Sequence, residues 1–201
     1  MRKFSIIFIF CSVLLLTYIT LKSYLLSFTH DESISYQIIL CNKGWYGDPN
    51  NHLLNSLFMF FASKIFGYSE LALRLPNIFS GVLFAISIFL IAQNTSKPLL
   101  ALLLFLLLLF NPFLTDFFAL ARGYGIGTAF FTLGMFFSIA LFKKENWIYH
   151  SYLASGSFIL AVLSNYSFLI GYAGVFLSVV AYLASEGKFK NPGKSNYLVK
   201  F

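Results

Sequence analysis

The side chains in this sequence that are best suited to chemistry are charged residues beside long apolar runs. Asp31 and Glu32 stand together just beyond the first such run, in a chain of 201 residues with 7 acidic ones. A carboxylate at a bilayer boundary is costly, so the pair indicates proton transfer, metal binding or ion passage. A low-dielectric boundary tends to raise the pKa of a carboxyl group, which suits a general base. Spacing alone favours a simpler interpretation, in which the pair caps a helix N-terminus.

Because adjacent residues on a helix point in different directions, the two carboxylates are not expected to share one partner. One of them can face a reaction centre while the other contacts a cation or the backbone. Asp31 and Glu32 are therefore both candidate catalytic residues, and both are candidate ligands of a divalent metal.

Two arginines and a histidine are the other candidates. Arg74 and Arg122 each lie at one end of a long apolar run. A guanidinium group offers a planar fork for phosphate oxygens and keeps its charge, although snorkelling to the interface explains an arginine there equally well. His52 follows the turn-forming segment 47–51, and spacing alone assigns it to that turn rather than to a ligand set.

The rest of the chain is apolar enough to place these residues at a membrane surface. Hydrophobic residues make up 59% of it, and charged residues only 10%, against roughly 25% in soluble domains. A helix needs roughly 20 apolar residues to span a bilayer. Runs of about this length lie at 4–26, 72–93, 98–115, 118–142, 147–166 and 168–185. The sequence therefore predicts an all-α fold, a polytopic transmembrane bundle of about six spans.

The apolar segment 53–66 is too short to span and contains polar residues, which predicts an interfacial helix in the first outer loop. If it does not span, the N-terminus and most basic residues fall on the cytoplasmic side, as the positive-inside rule requires. If it did span, Lys97, Lys143 and Lys144 would move outside. We therefore expect a cytoplasmic N-terminus and place Asp31, Glu32, His52, Arg74 and Arg122 on the outer face.

The remaining patterns indicate domain organisation rather than chemistry. Residues 1–185 form the predicted transmembrane domain, and the polar, Lys-rich segment 186–201 is a predicted cytoplasmic tail or truncated loop. The net charge of +7 is spread between apolar runs, so no nucleic-acid partner is indicated. Gly123 and Gly127 have the four-residue spacing of close helix packing in membranes.

Taken in order, the charged motifs resemble one family. Asp-Glu (31–32) is followed by Asn-Asn-His-Leu-Leu-Asn (50–55), by Phe-Gly-Tyr-Ser-Glu-Leu-Ala-Leu-Arg-Leu-Pro (66–76) and by Leu-Ala-Arg-Gly-Tyr (120–124). This ordered set resembles the GT-C membrane glycosyltransferases, and within them the protein mannosyltransferases and the aminoarabinose transferases of lipid A. The resemblance extends over roughly residues 1–185.

The resemblance implies an inverting transfer of a sugar from a polyprenyl-phosphate donor to a lipid, glycan or protein acceptor on the outer side. It implies that Asp31 is the general base and that Glu32 supports it or a metal. Arg122 would contact the lipid phosphate with Tyr124 alongside, while His52 and Arg74 would line the same cavity. It further implies an integral protein of the cell (inner) membrane, in contact with membrane lipids.

Two features depart from the family pattern. Leu53 follows His52 where family members usually have proline, and family members are commonly much longer. We therefore expect this chain to be the N-terminal portion of such an enzyme. The alternative functions are a transporter or flippase-like protein that uses outer-face carboxylates, or a non-catalytic fragment.

Overall fold

The computed structural model describes residues 2–41, 52–142 and 146–185, and over these residues the chain is helical with no strands. The predicted turn at 47–51, the lysines 143 and 144 and the tail 186–201 lie outside the described residues. The helices are α1 (Arg2–Leu25), α2 (His30–Cys41), α3 (Leu53–Phe66), α4 (Glu70–Gln93), α5 (Pro98–Leu109), α6 (Pro112–Phe118), α7 (Gly123–Phe142), α8 (Trp147–Ser164) and α9 (Phe168–Ser185). The predicted all-α fold class is confirmed.

Three of these helices are long and apolar enough to cross a membrane. They are α1, α4 and α7, and the bent pair of α5 and α6 adds a fourth span if it is counted as one. The sequence predicted about six spans, and within the described residues α8 and α9 fall short of the length and composition that a span requires. The short apolar segment is a helix of 14 residues, α3, with the predicted bounds.

The predicted span 98–115 is broken because local capping residues interrupt it. Asn111 accepts hydrogen bonds from the backbone N–H groups of Phe113 and Leu114, at 3.0 and 3.4 Å. Pro112 then occupies the first position of α6, where its missing N–H costs nothing. The two helices meet at 55°. The chain leaves α6 at Phe118, and the irregular segment 119–122 carries Arg122 before α7 begins.

The main core lies between α1, α4, α5 and α6. Phe8 packs edge-on against Phe89 and Phe105, with ring centroids 4.3 and 4.2 Å apart. Phe84 and Phe118 meet at 5.1 Å. On the opposite side of α1 and on α9, large apolar side chains such as Ile9 and Ile170 are exposed, at 65% and 82%. Exposed apolar faces of this extent suit contact with lipid.

One end of the bundle collects the segments that carry the predicted site residues. Arg74, at the start of α4, donates to the carbonyls of Ser23 and Leu26 at the end of α1, both at 2.7 Å. The start of α7 lies directly against the end of α8, and a Cβ on Gly123 would collide with the carbonyl oxygen of Ser164. A Cβ on Gly127 would likewise collide with the ring of Phe168. The predicted packing role of these two glycines is confirmed.

We expect Gly123→Ala to lower the free energy of unfolding by about 1–3 kcal/mol, the usual cost of overpacking. Gly156 is the matched control, since a Cβ there meets nothing within 4 Å. Because alanine favours a helix over glycine, Gly156→Ala should leave the unfolding temperature unchanged or raise it. Thermal unfolding of both variants in detergent measures this, and equal effects would contradict the close contact at Gly123.

Candidate functional site

The organising contact at this end of the bundle is a buried ion pair between Glu32 and Arg74. Arg74 donates from Nε to Oε1 of Glu32 and from Nη2 to Oε2, both at 2.8 Å. Both side chains are fully buried. A bidentate, charge-assisted pair of this geometry satisfies both groups where water does not reach them.

The other donors of Arg74 hold the turn between α1 and α2. Besides Ser23 and Leu26, the guanidinium donates to the carbonyl of Ser27 at 3.2 Å. These carbonyls follow the last helical turn of α1 or lie within it, where the backbone lacks intrahelical partners. Arg74 therefore closes the end of α1 as well as pairing with Glu32.

Glu32 in turn satisfies two backbone N–H groups from different parts of the chain. Its Oε2 accepts from the N–H of Thr29 at 2.9 Å, and the Thr29 hydroxyl faces the N–H of Glu32 at 3.4 Å, which forms a capping box at the start of α2. Its Oε1 accepts from the N–H of Ala121 at 2.7 Å. The carboxylate therefore joins α2, α4 and the segment before Arg122.

The pKa of Glu32 lies below its ordinary value. Burial by itself would raise that pKa, but the hydrogen bonds from Arg74 and from the N–H groups of Ala121 and Thr29 outweigh it. Glu32 is therefore ionised at neutral pH, and its oxygens are already occupied.

Asp31, the neighbouring residue, pairs with the other arginine. Oδ2 of Asp31 lies 2.7 Å from Nη1 of Arg122, and the side chains are 48% and 28% exposed. This pair thus lies at the surface of the same end of the bundle. As expected for adjacent helical residues, the two carboxylates have different partners.

An aromatic cluster lies behind the Asp31–Arg122 pair. The Arg122 guanidinium lies over the ring of Tyr124, at 5.1 Å from its centroid. Phe117 stacks on that ring at 4.8 Å, and His52 meets it edge-on at 5.3 Å. The structure therefore brings Asp31, His52, Arg122 and Tyr124 together.

His52 is a buried neutral base in this cluster. Burial and then the charge of Arg122 lower its pKa, against the opposing influence of the Ser164 carbonyl and Asp31. Within the described part of the chain, both ring nitrogens of His52 and Nε of Arg122 are buried without a hydrogen-bond partner. Native proteins rarely leave such atoms unsatisfied, so this cluster has polar atoms, one donor and one acceptor on His52 and a donor on Arg122, for which a ligand that enters it would supply partners.

Arg74 and Glu32 differ from the other predicted site residues, because neither has any exposed surface. A group without exposed surface does not touch a substrate in this conformation. The two carboxylates considered as metal ligands face different arginines, and within the described residues no three His, Cys, Asp or Glu side chains converge.

Sequence analysis missed two residues of this end of the bundle, Asn55 and Asn77, which are fully buried. Their signal was an amide side chain inside an apolar helix, where an unpaired polar group is costly. The pairing of the two is decided by the packing of α3 on α4, and no spacing in the chain indicates it.

An α-helical bundle with lipid-suited faces and a charged cluster at one end defines an integral membrane protein. Residues 52–199 match the family model described as dolichyl-phosphate-mannose-protein mannosyltransferase. Since this match covers most of the chain, the protein belongs to that family of GT-C-type membrane glycosyltransferases. Comparison with curated proteins and with solved structures gave no match.

The family match includes His52, Arg74, Arg122 and Tyr124 and begins after Asp31 and Glu32. The structure places those two carboxylates on two arginines of the matched region. Family membership also favours glycosyl transfer over the transporter alternative.

The buried pair predicts a specific pH dependence of stability. Because the pKa of Glu32 is lower in the folded protein, its contribution is complete above its unfolded value near 4.5 and is lost as the pH falls through the folded pKa. We expect the unfolding temperature to fall as the pH is lowered from about 5 to about 3.

Glu32→Gln should flatten this dependence and destabilise the protein at neutral pH by roughly 3–5 kcal/mol, because the Arg74 charge stays buried without its counterion. Glu70→Gln is the matched control, since that carboxylate is 52% exposed and lies 3.8 Å from the same arginine. Thermal unfolding at several pH values compares the variants. If Glu32→Gln showed the same pH dependence of the unfolding temperature as the unchanged chain, the Glu32 carboxylate would not be the cause of the loss of stability at low pH.

Proposed function

We propose that this chain transfers a sugar from a polyprenyl-phosphate donor to an acceptor hydroxyl on the outer side of the membrane. The observation that carries the proposal is the Asp31–Arg122 pair. A carboxylate and a guanidinium lie 2.7 Å apart and partly exposed, beside an aromatic cluster with unpaired polar atoms. Inverting transfer needs a base for the acceptor and a fixed cation for the leaving phosphate, and this pair supplies both.

Arg122 is the phosphate contact in this proposal. When the bond between the sugar carbon and the phosphate oxygen breaks, negative charge collects on the phosphate that stays with the lipid carrier. A guanidinium keeps its charge at any working pH, and the unpaired Nε of Arg122 is a donor that the Asp31 contact leaves unused. The bound phosphate shares or takes over the guanidinium, which frees Asp31.

Asp31 is the general base in the same step. Its exposed oxygen receives the proton of the acceptor hydroxyl while that hydroxyl oxygen forms the new bond to the sugar carbon. In the free protein the charge of the Asp31 carboxylate is balanced by the Arg122 guanidinium, so the carboxylate is occupied. Donor binding therefore precedes activation of the acceptor in this proposal.

His52 and Tyr124 form the wall of the donor site. Tyr124 offers an aromatic surface next to the cation, and His52, neutral because of its lowered pKa, offers a hydrogen-bonding nitrogen. Three leucines that follow His52 in the chain and one leucine of α8 line an apolar cavity of about 210 Å³, which suits the first part of an isoprenoid chain: Leu53, Leu54, Leu57 and Leu163.

Glu32 and Arg74 have a supporting role in this proposal rather than the catalytic and substrate-binding roles that the resemblance implied. Their charges are used up by each other and by backbone groups. They hold α2 so that Asp31, the residue before Glu32, reaches Arg122.

The outer location of the site and a cytoplasmic N-terminus in the cell membrane belong to the same proposal. The ends of α1 and α8 and the starts of α4 and α7 share the site end of the bundle. The basic residue Lys97 lies at the other end of α4, as the positive-inside rule requires of a cytoplasmic face.

We expect Asp31→Asn to lower the transfer rate by about 10²–10⁴-fold, the usual contribution of a general base. Asp116→Asn is the matched control, because Asp116 pairs with Lys22 and its side chain is 47% exposed, close to the value for Asp31. Transfer from a polyprenyl-phosphate sugar in native membranes measures both variants. Full activity of Asp31→Asn would refute the assignment of the base.

Single cysteines at the exposed positions His30 and Asn146 test the orientation. With Cys11 and Cys41 replaced by serine, a membrane-impermeant thiol reagent should label His30→Cys from outside and leave Asn146→Cys unlabelled until the membrane is permeabilised. His30 is the first residue of α2 and Asn146 directly precedes α8, so the predicted topology places them on opposite sides of the membrane. Equal labelling of intact cells at both positions would contradict the proposed topology.

A further inference from the structure

The peptide groups on both sides of Ala121 are held by buried side chains. Its N–H donates to Oε1 of Glu32 at 2.7 Å, and its carbonyl oxygen accepts from Nδ2 of Asn55 at 3.0 Å. Ala121 itself is fully buried. This irregular residue, which lies in no helix, is therefore fixed as firmly as a helical one.

The amide of Asn55 is itself held in place. Its second Nδ2 proton points to the sulfur of Met59 at 3.1 Å, and its Oδ1 accepts from Nδ2 of Asn77 at 2.8 Å. Asn55 and Asn77 are both fully buried. A chain of hydrogen bonds polarises its members, so the bond from Asn77 makes Asn55 a stronger donor to the Ala121 carbonyl.

A glycine in α7 allows Asn77 to lie where it does. A Cβ on Gly125 would be 2.8 Å from Oδ1 of Asn77 and 2.7 Å from the carbonyl oxygen of Phe117. The hydrogen-bonded chain thus runs from α4 through α3 to the segment 119–122, with α7 closely packed beside it. Burying two amides among apolar helices is costly. The result of pairing Asn55 with Asn77 is that Asn55 is held in position to donate to the Ala121 carbonyl.

We propose that Asn55 and Asn77 are positioning residues that set the direction of the Arg122 side chain. The carbonyl of Ala121 and the N–H of Arg122 belong to one rigid peptide plane. Holding that carbonyl therefore fixes the plane from which Arg122 leaves the backbone toward Asp31. The inference rests on the proposed function only in taking Arg122 as the contact to the donor phosphate.

The kinetic test uses Asn55→Leu, which keeps the size of the side chain and removes the donor. We expect the KM for the polyprenyl-phosphate sugar to rise about tenfold, the scale of one buried hydrogen bond, with the KM for the acceptor unchanged. A merely structural defect lowers the amount of active protein and hence kcat, and leaves both KM values unchanged. That result would overturn the proposal.

A double-mutant cycle tests whether Asn55 acts through Arg122. In an Arg122→Ala background, Asn55→Leu should cause no further rise in the donor KM, because the group that it positions is gone. A full tenfold effect in that background would overturn the proposal. Asn77→Ser, a milder change, should shift the donor KM in the same direction by a smaller factor, and it serves where Asn55→Leu fails to fold.

A chemical test works without any transfer reaction. In a Cys11→Ser, Cys41→Ser background, Asp31→Cys and Arg122→Cys are joined with a short bifunctional thiol reagent, and the rate is measured in membranes. Asn55→Leu should slow this cross-linking severalfold.

The control is Ser87→Ala in α4. Like Asn55→Leu it removes a hydrogen bond of a buried side chain, but the bond of Ser87 stays within its own helix. It should leave the cross-linking rate unchanged. Equal rates with and without Asn55→Leu would overturn the positioning role. Slower cross-linking caused by Asn55→Leu, together with no sugar transfer by the chain that retains Asp31 and Arg122, would support the positioning role and overturn only the proposed function.

Discussion

The buried ion pair between Glu32 and Arg74 is the interaction on which this end of the molecule depends. Its two side chains together contact the end of α1, the start of α2, the start of α4 and the backbone of Ala121. Taking both charges out of water is expensive, and the pair is tolerable only because nearly every donor and acceptor is used. The loss of either partner would leave a buried charge and would release several segments at once.

Because Glu32 is taken up by this pair, the two adjacent carboxylates have different roles. Glu32 is buried and fully bonded, so it serves the fold, whereas Asp31 is about half exposed and bonded only to Arg122 among the contacts described. The first turn of α2 therefore carries a buried, fixed carboxylate, Glu32, next to an exposed one, Asp31, that a ligand can reach. The amide chain of Asn77 and Asn55 approaches the same backbone from the other side, so both members of the exposed pair are attached to fixed supports.

Much of the fold could be predicted from the sequence, because the signals are local. Length and hydropathy predicted helices, a short helix at 53–66 and several spans, and the spacing of Gly123 and Gly127 predicted close packing. The break at Asn111 and Pro112 was missed, since an apolar composition masked two capping signals. The sequence also predicted about six spans, whereas within the described residues α8 and α9 do not meet the length and composition that a span requires.

By itself the sequence determined an all-helical membrane protein, its family-like order of motifs, and the gathering of Asp31, His52, Arg74 and Arg122 at one end. Only the tertiary structure decided which carboxylate meets which arginine. Glu32 and Arg74 are 42 positions apart, and Glu32 and Ala121 are 89 positions apart. Pairings at such separations depend on how α1, α2, α4 and α7 pack, and helical periodicity describes only the faces of each helix separately. Burial then separated the roles, because solvent access is a property of the packed bundle and not of any residue type.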